Sequence, residues 1–352
     1  MSHEASHPRV HVLGLGSIGT FAAHSLAEVP SRPAVTLLMH RPSLVDQFRK
    51  NGEKITLKTR EGETVSHDNY NIESYDQGQW HRVSAQQAPT AQSSIIENLI
   101  VSVKATQTVS ALRPVQQRLN NSSNILFLQN GSGMIEDVNI SLFPDKTTRP
   151  NYIIGVISHG VTLNSPFDIT HTGFSATSIG PVPREGEPAN SELDAARPSY
   201  LLGALPLVSR FNATAYSFLD VFQIQLEKLA VNAFCNPLCA LNNAKNGFLF
   251  TISETRRALL EEISRVILAL PELQGVAGVE DRFSPDTLEA TVHQIITNTA
   301  ETTCSMVVDL RQGRETEIQY INGFWCKRGR SVGVPTPMND DLVRRITELH
   351  RK

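Results

Sequence analysis

The stretch that decides the fold is VHVLGLGSIGTFAAHSLA, residues 10–27. Residues 10–13 form a short apolar run, GLGSIG follows at residues 14–19, and apolar residues then recur at helical spacing. The glycine pattern GxGxxG therefore lies between a predicted strand and a predicted helix, the context in which it indicates a dinucleotide-binding site. A glycine-rich turn that binds no ligand is the alternative interpretation.

Each glycine of this pattern has a physical role in binding a dinucleotide. Gly14 permits a tight turn, Gly16 lets the backbone approach a pyrophosphate, and Gly19 lets the helix pack closely on the strand. The N-terminus of the helix supplies unpaired N–H groups and a positive dipole for the phosphates. We therefore expect the whole turn to contact the cofactor, namely Gly14, Leu15, Gly16, Ser17, Ile18 and Gly19.

The second predicted strand, AVTLLM at residues 34–39, is followed by a basic residue. A site specific for NAD usually places Asp or Glu at the end of this strand, where the carboxylate binds the ribose 2′-hydroxyl. Here the chain continues as His40-Arg41-Pro42, and the next carboxylate is Asp46. A guanidinium suits a 2′-phosphate through charge-assisted hydrogen bonds. The sequence therefore favours NADPH over NADH, with a solvated surface Arg41 as the alternative.

Further apolar runs are predicted as buried strands, at residues 98–103, 125–129 and 152–158. Their alternation with helical patterns predicts an open parallel sheet, which binds ligands at the carboxyl ends of its strands. Lys104, Asn130 and Gly160 fall at such ends. Each alone is more often a solvated loop residue, but beside the glycine loop they are candidate cofactor contacts.

Between these strands the sequence predicts a hairpin and two loops. Residues 55–58 and 64–66 flank a turn at residues 60–62, which is typical of a hairpin. Residues 75–94 are polar without periodicity, and residues 181–199 are rich in Pro and Glu. We expect both of these segments to be surface loops.

After about residue 211 the apolar pattern becomes helical. In LEKLAVNAFCNPLCALNNAKN, residues 226–246, Lys228, Asn232 and Asn236 recur every four residues. Steps of four place them on one stripe of a helix, where a cation and two amides would line one wall. The alternative is a lysine that reaches water and Asn residues that hydrogen-bond locally.

Other local signals bound the helices of this second region. Pro237 lacks an N–H group, so we expect the helix to kink or break there. Ser284-Pro285 is a favourable helix start, and the pattern predicts a helix that continues to about Leu310 with Ser305 inside it. Asn339 is predicted to cap the final helix.

Composition and charge exclude several classes of protein. The chain has 352 residues, enough for two domains, and its 40% hydrophobic and 19% charged residues are typical of a soluble globular protein. The net charge of −3 gives no reason to expect nucleic acid, whose backbone demands clustered Lys and Arg. No apolar run reaches the ~20 residues of a membrane helix, so we expect no membrane contact.

The N-terminus and the cysteines indicate the compartment. MSHEASHPRV has no apolar segment and resembles neither a secretory signal nor an Arg-rich transit peptide. Cys235 and Cys239 are four residues apart, but without a second ligand pair nearby we interpret them as buried thiols and expect no metal. A reducing compartment follows, the cytoplasm, with the mitochondrion as the alternative.

The chain resembles the ketopantoate reductase family, the NADPH-dependent 2-dehydropantoate 2-reductases. The match covers GLGSIGT, VSVKA, LQNGSGM, KLAVNAFCNPLCALNNAKNG and SMVVDLRQGRETEIQYINGF, in order and with matching spacing. It implies an α/β Rossmann-type dinucleotide-binding domain over residues 8–211, followed by an all-α substrate and catalytic domain over residues 212–352. It also implies an active site in the cleft between them.

The family's residue roles carry over to this chain by motif. The catalytic Lys corresponds to Lys228, and the Glu of the TEI-x-Y-I-N-G motif corresponds to Glu317, which either orients Lys228 or contacts the nicotinamide ribose. Substrate-binding positions correspond to Asn130, Asn232, Asn236, Asn246 and Ser305. Cofactor-binding positions correspond to Gly14 through Gly19, Arg41, Lys104, Asn130, Gly160 and Glu317.

The resemblance implies NADPH-dependent reduction of ketopantoate to (R)-pantoate, a step of pantothenate and coenzyme A biosynthesis. The peripheral departures from the family, at residues 75–94, 159–164 and 181–199, leave the distal group of the substrate open. A reductase of a different 2-oxo acid and a non-enzymatic paralogue that binds a partner are the alternatives. The expected ligand is a small 2-oxo acid, and a homodimer is the candidate assembly.

Overall fold

The computed structural model of the protein describes residues 8–83, 94–187 and 199–350. The chain divides into two compact units. The α/β unit runs up to residue 129 and includes residues 135–221, whereas the helical unit contains residues 222–352 and a short separate segment, residues 130–134. An N-terminal α/β region followed by a helical region confirms the predicted fold class.

The α/β unit contains two sheets. Its strands are β1 (Arg9–Leu13), β2 (Ala34–Met39), β3 (Ile55–Thr59), β4 (Thr64–His67), β5 (Asn71–Asp76), β6 (Gln79–Arg82), β7 (Asn98–Val101), β8 (Asn124–Phe127), β9 (Asn151–Ile157), β10 (Gly160–Ser165), β11 (Asp168–Gly173), β12 (Thr177–Pro181) and β13 (Ala213–Ala215). Its helices are α1 (Ser17–Leu26), α2 (Pro42–Lys50), α3 (Thr108–Leu112), α4 (Met134–Ser141) and α5 (Tyr200–Ala204).

The larger sheet has nine strands in the order β13-β12-β9-β8-β7-β1-β2-β5-β6. The run from β9 to β5 is parallel, as predicted, but β12 joins β9 and β6 joins β5 in antiparallel pairs. β1 has β2 on one side and β7 on the other, so the strand order reverses at β1. Open α/β sheets bind ligands at the carboxyl ends of the strands that flank such a reversal.

The prediction of a loop over residues 75–94 is wrong for its first part. β5 extends to Asp76 and β6 spans Gln79–Arg82, joined by Gln77 and Gly78 at φ values of 48° and 82°. Two consecutive positive φ values are typical of the type I′ turn that closes a two-residue hairpin. Residues 84–93 lie outside the described part of the chain, as do residues 188–198 of the second predicted loop.

The smaller sheet has four strands in the order β10-β11-β3-β4. Its β3–β4 pair is the predicted hairpin, with antiparallel register from Ile55↔His67 to Lys58↔Thr64. The sequence did not predict β10 and β11. Helix α1 contacts this sheet, where the ring of Phe21 lies 5.2 Å from that of His159 and 4.9 Å from that of His171. The apolar core of the unit therefore lies between the two sheets and around α1.

The helical unit is built mainly from α6 (Phe218–Leu241), α7 (Ser253–Leu268), α8 (Val279–Arg282), α9 (Pro285–Thr299), α10 (Ser305–Arg311), α11 (Ile318–Val332) and α12 (Pro337–His350). Fully buried aromatic side chains, including Phe234, Phe283 and Trp325, form its core. Across the described residues, none of the helices combines the length and the apolar character that a bilayer span requires.

Three predictions for this unit need correction. Of the kink or break predicted at Pro237, the break does not occur, because α6 runs through Pro237 to Leu241. The predicted helix to Leu310 ends at Thr299, because the backbone oxygens of Ala300 and Thr302 accept hydrogen bonds from Gly247 and Asn246.

The third correction concerns Asn339, which lies inside α12 rather than capping it. The carboxylate of Glu262 on α7 caps this helix instead, accepting hydrogen bonds from the backbone N–H groups of Met338 and Asn339 at 3.0 and 2.9 Å. A long-range carboxylate thus satisfies the unpaired donors of the helix start, which local sequence signals do not reveal.

Candidate active site

Helix α6 carries three of the predicted site residues in one unbroken helix. Lys228, Asn232 and Asn236 follow one another at helical steps of four, as the sequence predicted. Lys228 and Asn232 are half-buried, and Asn236 is buried. The stripe therefore lies at the edge of the core, where side chains can be both shielded from water and reached by a ligand.

Asn130 reaches Lys228 from a distant part of the chain. The Nζ atom of Lys228 donates a hydrogen bond to Oδ1 of Asn130 at 3.2 Å. Asn130 belongs to the short segment 130–134 that is part of the helical unit. Asn130, which is predicted to contact the cofactor or the substrate, is thus hydrogen-bonded to the predicted catalytic lysine.

The start of α11 holds this segment in place. The backbone N–H of Ser132 donates to the carbonyl oxygen of Tyr320 at 2.8 Å. Gly131 has a φ of +89°, and a Cβ atom there would come within 2.6 Å of the same oxygen. A glycine is therefore required for the close approach that brings Asn130 next to Lys228.

The charge of Lys228 depends on two opposing effects. Burial lowers the pKa of Lys228 from its ordinary value of 10.5 to about 8, whereas the negative charge of Glu317 acts to raise the pKa. Glu317 is buried at the N-terminal boundary of α11. The structure therefore brings together Lys228, Asn130 and Glu317, and gives the lysine a proton that it can lose near neutral pH.

Buried thiols connect the other predicted substrate residues. The Sγ atom of Cys304 donates to the backbone oxygen of Asn236 at 3.8 Å, so Ser305, the next residue, begins α10 close to Asn236. Cys239 donates to Oδ1 of Asn246 at 3.7 Å. All four cysteines are free and buried, which confirms the interpretation of Cys235 and Cys239 as buried thiols.

Ser305 and Asn246 differ in their availability to a ligand. Ser305 is exposed at the first position of α10. Asn246 is buried, and its Nδ2 atom donates to Oγ1 of Thr299 at 2.9 Å. The amide of Asn246 thus has a defined structural role at the break between α9 and α10.

Asn322 lies in the TEI-x-Y-I-N-G motif, and its role becomes visible only in the folded chain. Its Nδ2 atom donates to the backbone oxygen of Ala233 and to Oδ1 of Asn339, both at 2.9 Å. The signal in the sequence is Pro237. Its missing N–H leaves the oxygen of Ala233, four residues earlier, in need of another donor.

The glycine loop of the α/β unit has the form that a dinucleotide requires. A Cβ atom on Gly14 would lie 2.5 Å from the backbone nitrogen of Val103, and one on Gly19 would lie 1.7 Å from the backbone oxygen of Gly14. Packing within the protein explains these two glycines. Gly16 differs, because a Cβ atom there would meet nothing within 4 Å. The open space at Gly16, the N-cap of α1, fits a group that approaches the backbone from outside.

The other predicted cofactor residues follow the carboxyl ends of strands. Gly160 comes after the end of β9 and is the first residue of β10. Arg41 is exposed after β2, at the N-cap of α2. Lys104 is half-buried and follows β7, the neighbour of β1 on its other side. Gly160 has a packing explanation, because a Cβ atom there would lie 2.9 Å from Oγ1 of Thr172 on β11.

Comparison with known proteins covers nearly the whole chain. The family model described as Ketopantoate reductase PanE/ApbA matches residues 10–184, and the model of the C-terminal region of that family matches residues 220–350. The chain is 34% identical over 250 residues to the 2-dehydropantoate 2-reductase of Salmonella typhimurium. The alignment covers 71% of this chain and 73% of that protein.

Two further proteins extend this similarity. A Schizosaccharomyces pombe protein named "Probable 2-dehydropantoate 2-reductase" is 28% identical over 340 residues, 95% of this chain and 94% of that protein. The solved structure of a dimeric ketopantoate reductase from Staphylococcus aureus has a TM-score of 0.68 and 18% identity, and the alignment covers 97% of this chain and 99% of that one. From these matches, and above all the 34% identity, it follows that the chain belongs to the ketopantoate reductase family.

Proposed function

We propose that this protein is an NADP-dependent 2-dehydropantoate 2-reductase, which reduces ketopantoate to (R)-pantoate in the biosynthesis of pantothenate and coenzyme A. The observation that carries the proposal is the half-buried Lys228 with its Nζ atom 3.2 Å from Asn130. Membership of the family supports the same reaction, because the relatives described above are named for it.

The proton for the reaction comes from Lys228. Reduction of a 2-oxo acid requires a hydride at C2 and a proton on the carbonyl oxygen. An ammonium with a pKa of about 8 is largely protonated at neutral pH and is acidic enough to give up that proton. Before the transfer, its positive charge stabilises the negative charge that develops on the oxygen.

Asn130 and Glu317 position the lysine. The hydrogen bond from Nζ to Asn130 Oδ1 fixes the direction of the ammonium. The carboxylate of Glu317 favours the charged form of the lysine despite its burial. A contact of Glu317 or Asn130 with the nicotinamide ribose is the alternative role for either residue, and both roles fit their positions beside Lys228.

The residues of the α/β unit fit a dinucleotide, which supplies the hydride when it is bound. We propose that residues 8–211 form this binding domain and that residues 212–352 form the substrate and catalytic domain. The free N–H groups at the start of α1 and the open space at Gly16 suit the pyrophosphate. The exposed guanidinium of Arg41 suits a 2′-phosphate, so the proposed cofactor is NADPH.

Polar side chains of the helical unit would hold the substrate. We propose that Ser305 and the amides of Asn232, Asn236 and Asn246 bind its carboxylate and hydroxyl groups. Ser305 and Asn236 lie close to each other through the Cys304 contact. We also propose that two copies of the chain form a homodimer, which the dimeric Staphylococcus aureus structure supports.

The test is a comparison of two substrates that differ in one hydroxymethyl group. Purified protein is assayed with NADPH and either ketopantoate or 2-oxoisovalerate at the nicotinamide absorbance. Because a site built for a hydroxyl rejects analogues that lack it, we expect kcat/KM to favour ketopantoate by at least about 100-fold. Equal values would indicate that the natural substrate is another 2-oxo acid, and no turnover of either acid would support a non-enzymatic paralogue.

A further inference from the structure

Two histidines and a glutamate meet at the end of α1, and none of the three has a role in the proposed reaction. The carboxylate oxygen Oε1 of Glu28 lies 3.7 Å from Nδ1 of His24 and 3.5 Å from Nε2 of His67. His24 is in the last turn of α1, Glu28 follows that turn, and His67 ends β4. The three ligand atoms all lie within 4.8 Å of one another.

The orientation of His24 is set by a backbone carbonyl. Its Nε2–H group donates to the oxygen of Val65 on β4 at 3.2 Å. Its other nitrogen, Nδ1, is buried and accepts no hydrogen bond from any described residue. Metal-binding histidines commonly donate their second N–H group to a carbonyl or carboxylate, which fixes the ring and directs the other nitrogen at the metal.

His24 is also in the chemical form that binds metals. In the neutral imidazole, Nε2 carries the proton that it donates to Val65, so the lone pair is on Nδ1. Nδ1 therefore presents a lone pair that faces the carboxylate of Glu28. Both atoms are electron-pair donors, as the ligands of a metal ion must be.

We propose that His24 Nδ1, Glu28 and His67 Nε2 form a binding site for a divalent transition metal of the zinc class. Two imidazoles and one carboxylate are a ligand set that zinc accepts, with a fourth position open to water. Ligands that lie 2.0–2.1 Å from zinc stand about 3.3 Å apart in a tetrahedron. The pairs at 3.5 and 3.7 Å therefore need to contract by a few tenths of an ångström, and the two ring nitrogens, within 4.8 Å of each other, by up to about 1.5 Å.

Without a metal, Nε2–H of His67 donates to Oε1 of Glu28 at 3.5 Å, and a metal would replace this proton, which moves to Nδ1 of the same ring. A second competitor for the site is Arg210. Its Nε atom donates to the same oxygen of Glu28 at 3.1 Å. The guanidinium supplies the positive charge that balances Glu28 when no metal is bound. Because part of its side chain is exposed, Arg210 can turn toward water when a metal takes its place. Removal of Arg210 should therefore strengthen metal binding, the opposite of what removal of a ligand does.

The site would tie the helix behind the glycine loop to the smaller sheet. His24 lies in the last turn of α1, Glu28 follows that turn, and His67 belongs to the β3–β4 hairpin. A metal that binds only the folded protein stabilises it in proportion to the logarithm of the metal concentration. The expected role is therefore structural and does not depend on the reaction proposed above.

The experiment uses the full chain, freed of metal by a chelator. Zn²⁺ binding is measured by isothermal titration calorimetry, and Co²⁺ binding by its visible absorption. We expect one saturable site per chain that His67→Gln and Glu28→Gln each weaken at least about tenfold. Arg210→Gln should tighten binding. His81→Gln, at an exposed histidine on β6, should leave binding unchanged.

Circular dichroism without metal shows whether each variant is folded. Because His67 is partly exposed, we expect its substitution to be tolerated. Absence of saturable Zn²⁺ binding would overturn the proposal. So would equal binding by the His67→Gln and His81→Gln variants, because the metal would then lie elsewhere. Weaker binding by Arg210→Gln would also contradict it.

Discussion

The side chain of Asn322 donates to the backbone oxygen of Ala233, at a distance of 2.9 Å. In an uninterrupted helix this oxygen would accept from the N–H group of residue 237, which is a proline. Asn322, on α11, therefore supplies from outside the bond that Pro237 cannot make. This replacement explains why α6 continues past Pro237 and keeps Asn236 on the same face as Lys228.

The first prediction tests this replacement by a double-mutant cycle. Asn322→Leu leaves a buried carbonyl without a donor and should lower the free energy of unfolding by about 1–3 kcal/mol. Pro237→Ala restores the N–H group, so Asn322→Leu should cost about 1 kcal/mol less in that background. Urea denaturation of the four proteins measures both costs. An equal cost in the two backgrounds would mean that Asn322 does not replace the proline.

The second prediction concerns Lys228. Removal of a positioned general acid typically costs ~10²–10⁴-fold in rate, so Lys228→Ala should lower kcat by about that range. The variant should still bind NADPH. Lys228→Arg should restore little activity, because a guanidinium holds its proton and differs in shape. Lys146→Ala, at an exposed lysine of the α/β unit, is the matched control. Near-normal kcat in Lys228→Ala would exclude Lys228 as the acid.

The third prediction concerns pH. The pKa of Lys228 is about 8, and only its protonated form can donate to the substrate. The kcat/KM of the unmutated protein should therefore be constant on the acidic side and fall about tenfold per unit above pH 8. Substitution of Glu317 by Gln removes the charge that raises this pKa, so the fall should move to lower pH. A pH profile that stays flat to pH 10 would refute this assignment.

The fourth prediction concerns the choice of cofactor. Hydrogen bonds to charged groups are worth about 1.5–3 kcal/mol, so Arg41→Ala should raise the KM for NADPH about ten- to a hundredfold. The KM for NADH should change little. Arg49→Ala, at an exposed arginine of the same helix α2, serves as the control. Equal use of both cofactors by the unmutated protein would contradict a role of Arg41 in selecting NADPH.

The fifth prediction separates binding from stability at Ser305 and Asn236. If both side chains bind the substrate, replacement by Ala should raise the KM for ketopantoate and leave the affinity for NADPH nearly unchanged. A purely structural role would instead lower Tm without changing the kinetics. Thr302→Ala, at an exposed residue just before α10, is the control. Unchanged ketopantoate kinetics in both variants would exclude the substrate role.

Local patterns predicted the parts of the molecule that local physics determines. The strand, turn and helix at residues 9–26 follow from apolar spacing and three glycines, two of which packing requires. The stripe on α6 follows from helical periodicity alone. In both cases the residues that cause the structure are neighbours in the sequence.

The errors arise where a distant side chain replaces a local bond. Pro237 predicts a kink or a break in α6, and the break is avoided by Asn322, which lies 85 positions later in the chain. Asn339 was expected to act as a cap, but Glu262, 77 residues earlier, does so. The three-residue group of His24, Glu28 and His67 likewise depends on the pairing of β3 with β4. No local pattern contains this information, because each contact exists only in the folded chain.

The short segment Asn130–Met134 has a consequence for how this protein can be divided or inherited. Lys228 and its bonded partner Asn130 are 98 residues apart, yet both belong to the helical unit. A gene fragment that starts at residue 222 would encode Lys228 but not Asn130. It would also encode α11 without the segment 130–134, which hydrogen-bonds to Tyr320. Recombination therefore cannot transfer this unit to a new dinucleotide-binding partner as one continuous cassette. The recipient must already carry an equivalent of Asn130 and Gly131, so the two halves of the gene are constrained to evolve together.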